Sequence, residues 1–260
     1  MWPDGARCAV ALTFDFDAES VWIADDAANA ARPGVLSQGT YGAKVAVPLI
    51  LDLLERHGVR ATFFVVGQVA ERYPERVGAI VRAGHELAVH GYTHTAPAKL
   101  SRQEEENELT RARAILEGFG SQVTGYRSPS WDFSPHTLDL LEQHGFGYSS
   151  NFMDDIRPYR HEGRALVELP VQWILDDAAH WWFGPADWVK KIATTAEVRS
   201  IWEEELLGIR ALDGSCILTM HPQIVGRPSR LAFLDAFLGF VRSLEGTWIA
   251  ACDEIAARVT

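Results

Sequence analysis

Four short segments carry the side chains with chemical reach. The first is Thr13-Phe14-Asp15-Phe16-Asp17-Ala18-Glu19, which places two aspartates at the end of an apolar run. Residues two apart on a strand point to the same side, ~6–7 Å apart. One carboxylate can then hold a cation while the other serves as a base. A solvated strand end with turn-forming acids would have the same composition. The second segment is His90-Gly91-Tyr92-Thr93-His94. Two histidines four apart on one helical turn present both rings to one ion. Gly91 stands where the HExxH metalloprotease pattern has its glutamate, so a general base must come from elsewhere, and Asp15 is available. A chance pair competes with this reading, because the chain has nine histidines. His85, one strand length earlier, is expected to be structural.

The third segment is Met220-His221-Pro222, directly after the apolar run Cys216-Ile217-Leu218-Thr219-Met220. A histidine at a strand mouth suits a general acid, since imidazole titrates near neutral pH. In the fourth, Gly125-Tyr126-Arg127-Ser128-Pro129-Ser130-Trp131, Arg127 can neutralise and orient a buried carboxylate while Trp131 forms a pocket wall. Further on, Trp173, Trp181, Trp182 and Phe183 lie near Asp176 and Asp177. Aromatic walls with a few polar groups suit a small-molecule or sugar site, with Trp173 and Asp177 as substrate contacts. A core or a subunit interface would use the same residue types.

The elements that must position these groups alternate. Cys8–Phe16, Ala61–Val66, Glu86–Val89, Gly125–Arg127, Val167–Leu169, Cys216–Met220 and Thr247–Ala250 read as strands. Between them, Val45–His57 and Val69–Ala83 read as helices closed by Gly58 and Gly84. Ser101 with Glu104 is a capping box opening a helix through Leu116, and Ser134-Pro135 starts another that ends at Gly145. Glu197–Leu212 and Arg230–Leu244 complete the set. Strands alternating with helices imply parallel strands and right-handed crossovers, as a (β/α) barrel first and an open doubly wound sheet second. In both, reactive groups collect at the C-terminal ends of the strands, where all four segments fall.

Composition narrows the partners. Lys plus Arg number 24 against 35 Asp plus Glu, a net charge of −11, which argues against nucleic acid or an anionic membrane. Three scattered cysteines give neither a disulfide framework nor a cysteine-based zinc site. The first residues have no signal-peptide pattern, and no apolar run approaches the ~20 residues of a spanning helix, so a cytoplasmic protein is expected.

Taken in order, the segments TFDFDAE, HGYTH, RSPSW and LTMHP resemble the motifs of the polysaccharide deacetylase superfamily, whose catalytic unit is the NodB-homology domain. The resemblance runs over essentially the whole chain, residues 1–260, as one catalytic domain. It implies an α/β fold, the deformed (β/α) barrel of that family. It also implies a divalent metal held by Asp17, His90 and His94, with Asp15 as base, His221 as acid and Arg127 positioning the base. Two imidazoles and a carboxylate suit Zn²⁺ first, with Co²⁺, Ni²⁺ or Fe²⁺ as alternatives. Phe16 separates two aspartates that are adjacent in polymer-deacetylating members. That form is similar to a cytoplasmic branch of peptidoglycan deacetylases, cyclic imide hydrolases and allantoinase-like enzymes. The implied activity is hydrolysis of a non-peptide amide bond in an N-acetylated amino sugar or peptidoglycan fragment, or alternatively in a cyclic imide or ureide. The family resemblance also implies a homo-oligomer.

Overall fold

A computed structural model describes residues 2–184 and 190–259. Its centre is β1 (Cys8–Phe16), every residue of which is buried. Ala9 and Val10 pair with both β8 (Ser215–Met220) and β9 (Thr247–Ile249). Thr13 and Phe14 pair with both β8 and β2 (Thr62–Val65). One flank of β1 is therefore taken by β8, and the other is shared by β9 near its start and β2 near its end. The sheet continues through β3 (Glu86–Val89), β4 (Gly125–Tyr126), β5 (Tyr148–Ser149), β7 (Val167–Glu168) and β6 (Tyr159–Arg160). Every pairing is parallel except β6 with β7.

The sheet curls into an open half-barrel of the deformed (β/α) type, not a flat doubly wound sheet. Beyond β7 the chain returns to β8 through one parallel bridge, Asp176 to Thr219. The helices are α1 (Ser20–Asp25), α2 (Pro33–Tyr41), α3 (Val47–His57), α4 (Gly67–Arg72), α5 (Pro74–Arg82), α6 (Arg102–Glu117), α7 (Thr137–Gln143), α8 (Asp177–Trp181), α9 (Thr195–Ala211), α10 (Pro222–Val225), α11 (Pro228–Ser243) and α12 (Cys252–Ala256).

Strand periodicity sorts the side chains into two cores. Val10, Leu12, Phe14 and Phe16 of β1 join Leu87 and Val89 of β3 and Cys216, Leu218 and Met220 of β8 in the cluster that packs against the helices. The alternate residues Ala9, Ala11, Ala88 and Ile217 fill the barrel interior with Phe64 and Tyr148. Alanines suit an interior too narrow for larger side chains. Continuing the inward series to the strand ends leads to Asp15 at the end of β1 and Asp17 just past it, His90 after β3 and His221 after β8. The register that buries the apolar stripe thus delivers the reactive groups to one mouth.

Several boundaries differ from the sequence reading. The expected helix Val69–Ala83 is two, α4 and α5, broken at Tyr73, because a residue before proline avoids helical geometry. The helix expected to open at Ser134-Pro135 begins at Thr137, since the Ser134 hydroxyl is turned to the Glu105 carboxylate (2.5 Å). The capping box of Ser101 and Glu104 and the left-handed Gly58 stand where expected. Among the described residues, no helix is long and apolar enough to cross a membrane.

Candidate active site and metal centre

The mouth of the half-barrel holds a cavity of about 210 Å³ lined by Asp15, Asp17, His90, His94 and His221, with Trp131, Trp173 and Trp182 among its walls. The loops that build it carry unusual backbone. Ala18, His94, Ser130 and Trp131 all have positive φ, which L-residues adopt at a cost of ~1–3 kcal/mol each. The other non-glycine residues of this kind among those described, Asp4 and Asp213, lie away from the cavity.

His90 and His94 do not lie on a helical turn. The segment is an irregular loop in which Gly91 (φ 70°) and His94 (φ 67°) are left-handed. These reversals, not helical spacing, bring the two rings to 5.1 Å between centroids. Glu108 of α6 holds the loop, accepting hydrogen bonds from the backbone N–H of Tyr92 (2.6 Å) and Thr93 (2.7 Å) and from the Thr93 hydroxyl (2.8 Å). His90 Nδ1 meets the Arg127 carbonyl at 2.9 Å, which leaves Nε2 facing the cavity as an acceptor.

Asp17 Oδ1 lies 3.5 Å from His90 Nε2 and 3.7 Å from His94 Nε2. Asp17 Oδ2 accepts a hydrogen bond from the Gln223 amide at 3.3 Å, but Oδ1 is buried with no hydrogen-bond partner. An orphaned carboxylate oxygen in a buried site is costly unless a cation takes it. The three ligand atoms lie within 4.8 Å of one another, a spread that one divalent ion can bridge. Burial pushes Asp17 up to about 8, with Asp15 adding to the rise and His221 opposing it. Burial, with the neighbouring His90 and His221, holds His94 well below its usual range. A cation would supply the charge this set lacks. The residues fit a metal.

Asp15 is managed differently. Burial alone would raise its pKa, but Arg127, with His90 and His221, overrides that and keeps the carboxyl below its usual range. Arg127 is completely buried and donates from Nη1 to Asp15 Oδ1 (2.7 Å) and to the Thr13 hydroxyl (2.7 Å). Its Nη2 reaches the Ser150 hydroxyl at 3.0 Å, and its plane lies 4.0 Å over Phe64. Asp15 Oδ2 lies 3.8 Å from His90 Nε2. The result is an ionised carboxylate at the metal edge of the cavity, suited to accept a proton.

At the end of the neighbouring β8, His221 Nε2 lies 3.8 Å from Asp17 Oδ2, while its Nδ1 meets Asp177 Oδ1 at 2.7 Å. Asp177 also accepts from the His221 backbone N–H at 3.0 Å. Burial would lower the His221 pKa, but Asp177, Asp176 and Asp17 raise it well above its usual value. The ring is therefore held as a proton donor aimed into the cavity.

Asp177, expected from sequence to touch substrate, is fully buried behind His221 and does not line the cavity. Trp131 and Trp173 do line it, 4.5 Å apart, with Trp173 52% exposed at the rim. Trp181 packs instead against Trp202 and Phe233 in the core, and the His85 ring accepts from Ala61 N–H at the opposite end of β3. Sequence reasoning missed Gln223 and Glu108 because their roles exist only through partners 15 to 206 residues away. Gln223, two residues after His221, lies on helix α10, where strand parity gives no signal.

Comparison with known proteins agrees with this geometry. The family described as polysaccharide deacetylase matches residues 5–149, which include Asp15, Asp17, His90, His94 and Arg127. A peptidoglycan deacetylase of Helicobacter pylori is 28% identical over 95% of this chain and 94% of its own length. The peptidoglycan-N-acetylglucosamine deacetylase of Bacillus cereus is 35% identical over 41% of this chain and 37% of its own. Among solved structures, a Mycobacterium smegmatis protein assigned to the polysaccharide deacetylases has TM-score 0.95 and 42% identity, over all of this chain and 92% of that one. The PuuE allantoinase has TM-score 0.83 at 21% identity, over 98% of this chain and 91% of that one, which speaks to the fold alone. With the match covering more than half of the chain, β1 to β5 and the motifs of Asp15, Asp17, His90, His94 and Arg127, this chain belongs to the polysaccharide deacetylase family.

Proposed function

We propose that the chain is a divalent-metal-dependent hydrolase of non-peptide amide bonds that removes N-acetyl groups from amino sugars or peptidoglycan fragments. The observation that carries this reading is the unpartnered Asp17 Oδ1 between two imidazoles, flanked by an ionised carboxylate on one side and a protonated imidazole on the other. Asp17, His90 and His94 would hold the ion, with Zn²⁺ first among Co²⁺, Ni²⁺ and Fe²⁺. When bound, such an ion polarises an acyl oxygen and makes water a better nucleophile near neutral pH.

The chain's own residues supply the proton traffic. Asp15, fixed by Arg127, accepts the proton of the attacking water at Oδ2, the oxygen nearer His90. His221 delivers the proton at Nε2 to the departing nitrogen, because Nδ1 is committed to Asp177. An amine leaves slowly unless protonated, so a base and a separate acid lining one cavity let both steps proceed. Trp131, Trp173 and Trp182 exclude water and offer apolar faces to a ring.

A second reading, hydrolysis of a cyclic imide or ureide, draws on the cavity's size. About 210 Å³ bounded by three tryptophans suits one ring better than a run of sugars. The test compares acetate release from N-acetylglucosamine oligomers with ring opening of succinimide and allantoin by the zinc-loaded protein. Acetate release with inert imides supports the first reading. Ring opening without acetate release replaces it with the second.

A further inference from the structure

Beside the catalytic cavity lies another of about 320 Å³, and Trp182 lines both. The Trp182 ring is stacked on Trp22, with centroids 4.9 Å apart at 21°, so the shared wall is a paired aromatic slab. In a chain of net charge −11, this second cavity presents Arg227 and Arg230 with Ser229, Gln38 and Gln223, and no acidic side chain among its described lining residues. Among the described residues neither guanidinium forms an ion pair with a carboxylate. Both are instead propped on rings: Arg227 lies 3.8 Å over Tyr41, and Arg230 lies 5.1 Å from Trp181 with one hydrogen bond, to the Ile224 carbonyl at 3.2 Å.

A guanidinium has five N–H donors in a rigid fork matched to carboxylate and phosphate oxygens. Here two such forks are oriented by aromatic stacking and most of their donors are unspent. Gln223 ties this cavity to the catalytic one, because its amide nitrogen donates to Asp17 while its own oxygen is buried without a partner.

We propose that the Arg227–Arg230 cavity is an oxyanion-binding pocket that takes a carboxylate or phosphate group next to the catalytic cavity. The anion has two possible sources. A substrate extension can reach past Trp182, in which case the pocket selects acidic substrates and rests on the hydrolase reading above. A free anion can bind alone, in which case it does not.

Binding is read first, by isothermal titration of the metal-loaded protein with inorganic phosphate and with succinate, using succinamide as the uncharged control. Saturable binding of either anion but not succinamide is expected. It should weaken about tenfold in Arg227→Gln, or ~1.4 kcal/mol, and recover in part in Arg227→Lys. Gln38→Glu, which places a carboxylate in the same cavity, is a second variant that leaves the arginines intact and should weaken binding similarly. His94→Ala should bind the anion as the parent does, because the pocket does not use the candidate metal centre. Equal binding in the parent, Arg227→Gln and Gln38→Glu overturns the proposal, and so does loss of binding in His94→Ala.

The source is then read from kcat/KM for N-acetylglucosamine and N-acetylmuramic acid, which differ by a lactyl carboxylate. A preference for the acid that vanishes in Arg227→Gln assigns the pocket to the substrate. Equal values, with phosphate changing the rate only when Arg227 is present, assign it to a free anion. If neither sugar is hydrolysed, the hydrolase reading fails while the titrations still decide the pocket.

Discussion

Two carboxylates inside the half-barrel share burial and a raised pKa yet differ in everything around them. Glu86 lies at the foot of the barrel, at the start of β3, and Asp17 lies at the mouth. Burial drives the rise in both, to about 7 for Glu86 and about 8 for Asp17. Glu86 Oε1 accepts from the Tyr148 hydroxyl (2.7 Å), and Oε2 accepts from the Thr62 hydroxyl (2.6 Å) and Asp253 N–H (3.1 Å). Asp17 keeps one oxygen without a partner. Gly125 shows how closely the foot is fitted, since a Cβ there would stand 2.1 Å from the Tyr148 ring. A raised pKa therefore does not mark a site by itself. A carboxylate oxygen without a partner, set beside two imidazoles, does, and it lies where the strained loops converge.

The sharpest way to break this contrast is to remove the orphaned oxygen or a ring facing it. Asp17→Asn and His94→Ala should each abolish bound metal, by elemental analysis, together with hydrolytic activity. Glu86→Gln should retain a full complement of metal. Metal retained in both mouth variants would remove the candidate centre from the account.

A smaller effect is expected on the acid side. His221→Ala should keep its metal and lose ~10²–10⁴-fold in kcat, the usual range for a general acid. Asp177→Asn should lose less, and its pH profile is more informative than its rate. Burial favours neutral His221, and the Asp177 charge is the largest force holding the proton on. Without that charge His221 deprotonates at lower pH, so the alkaline limb of kcat should move toward acid. An unmoved limb would mean that His221 is not the group titrating there.

At the foot the expected effect is on stability. The unfolded chain releases the Glu86 proton near 4.5 and the folded chain near 7. Between those values the folded state holds the extra proton, so its stability is greatest below about 4.5 and falls as pH rises toward 7. Glu86→Gln should flatten that slope in thermal melts from pH 4.5 to 8. An unchanged slope would show that the foot carboxylate does not titrate in this range.

How much of this was legible follows from distance along the chain. β1, β3 and β8 were readable as apolar runs, and the inward parity that carries Asp15, His90 and His221 follows from strand period. The family motifs add which aspartate joins the two histidines and which serves as base. The loop between His90 and His94 was misread as a helical turn because i, i+4 spacing says nothing of the left-handed Gly91 and His94 or of Glu108 on a distant helix. The tryptophans beside Asp177 suggest a substrate contact, whereas the fold turns it back onto His221. Helices α1 and α2 carry no strong apolar stripe. Their placement depends on tertiary contacts such as Thr40 and Tyr73 donating to Glu19.

The smallest expected effect concerns the rim. Trp173 is half exposed and touches Trp131 at 4.5 Å, so its removal deletes an aromatic wall without opening the core. Trp173→Ala should leave the melting temperature within a degree or two, as exposed substitutions do. It should raise KM several-fold with little change in kcat, because the ring meets substrate and transition state alike and supplies uniform binding. A fall in kcat at constant KM would instead place Trp173 against the reacting bond. The rim would then belong with the strained, unsatisfied groups of the mouth and not with its passive walls.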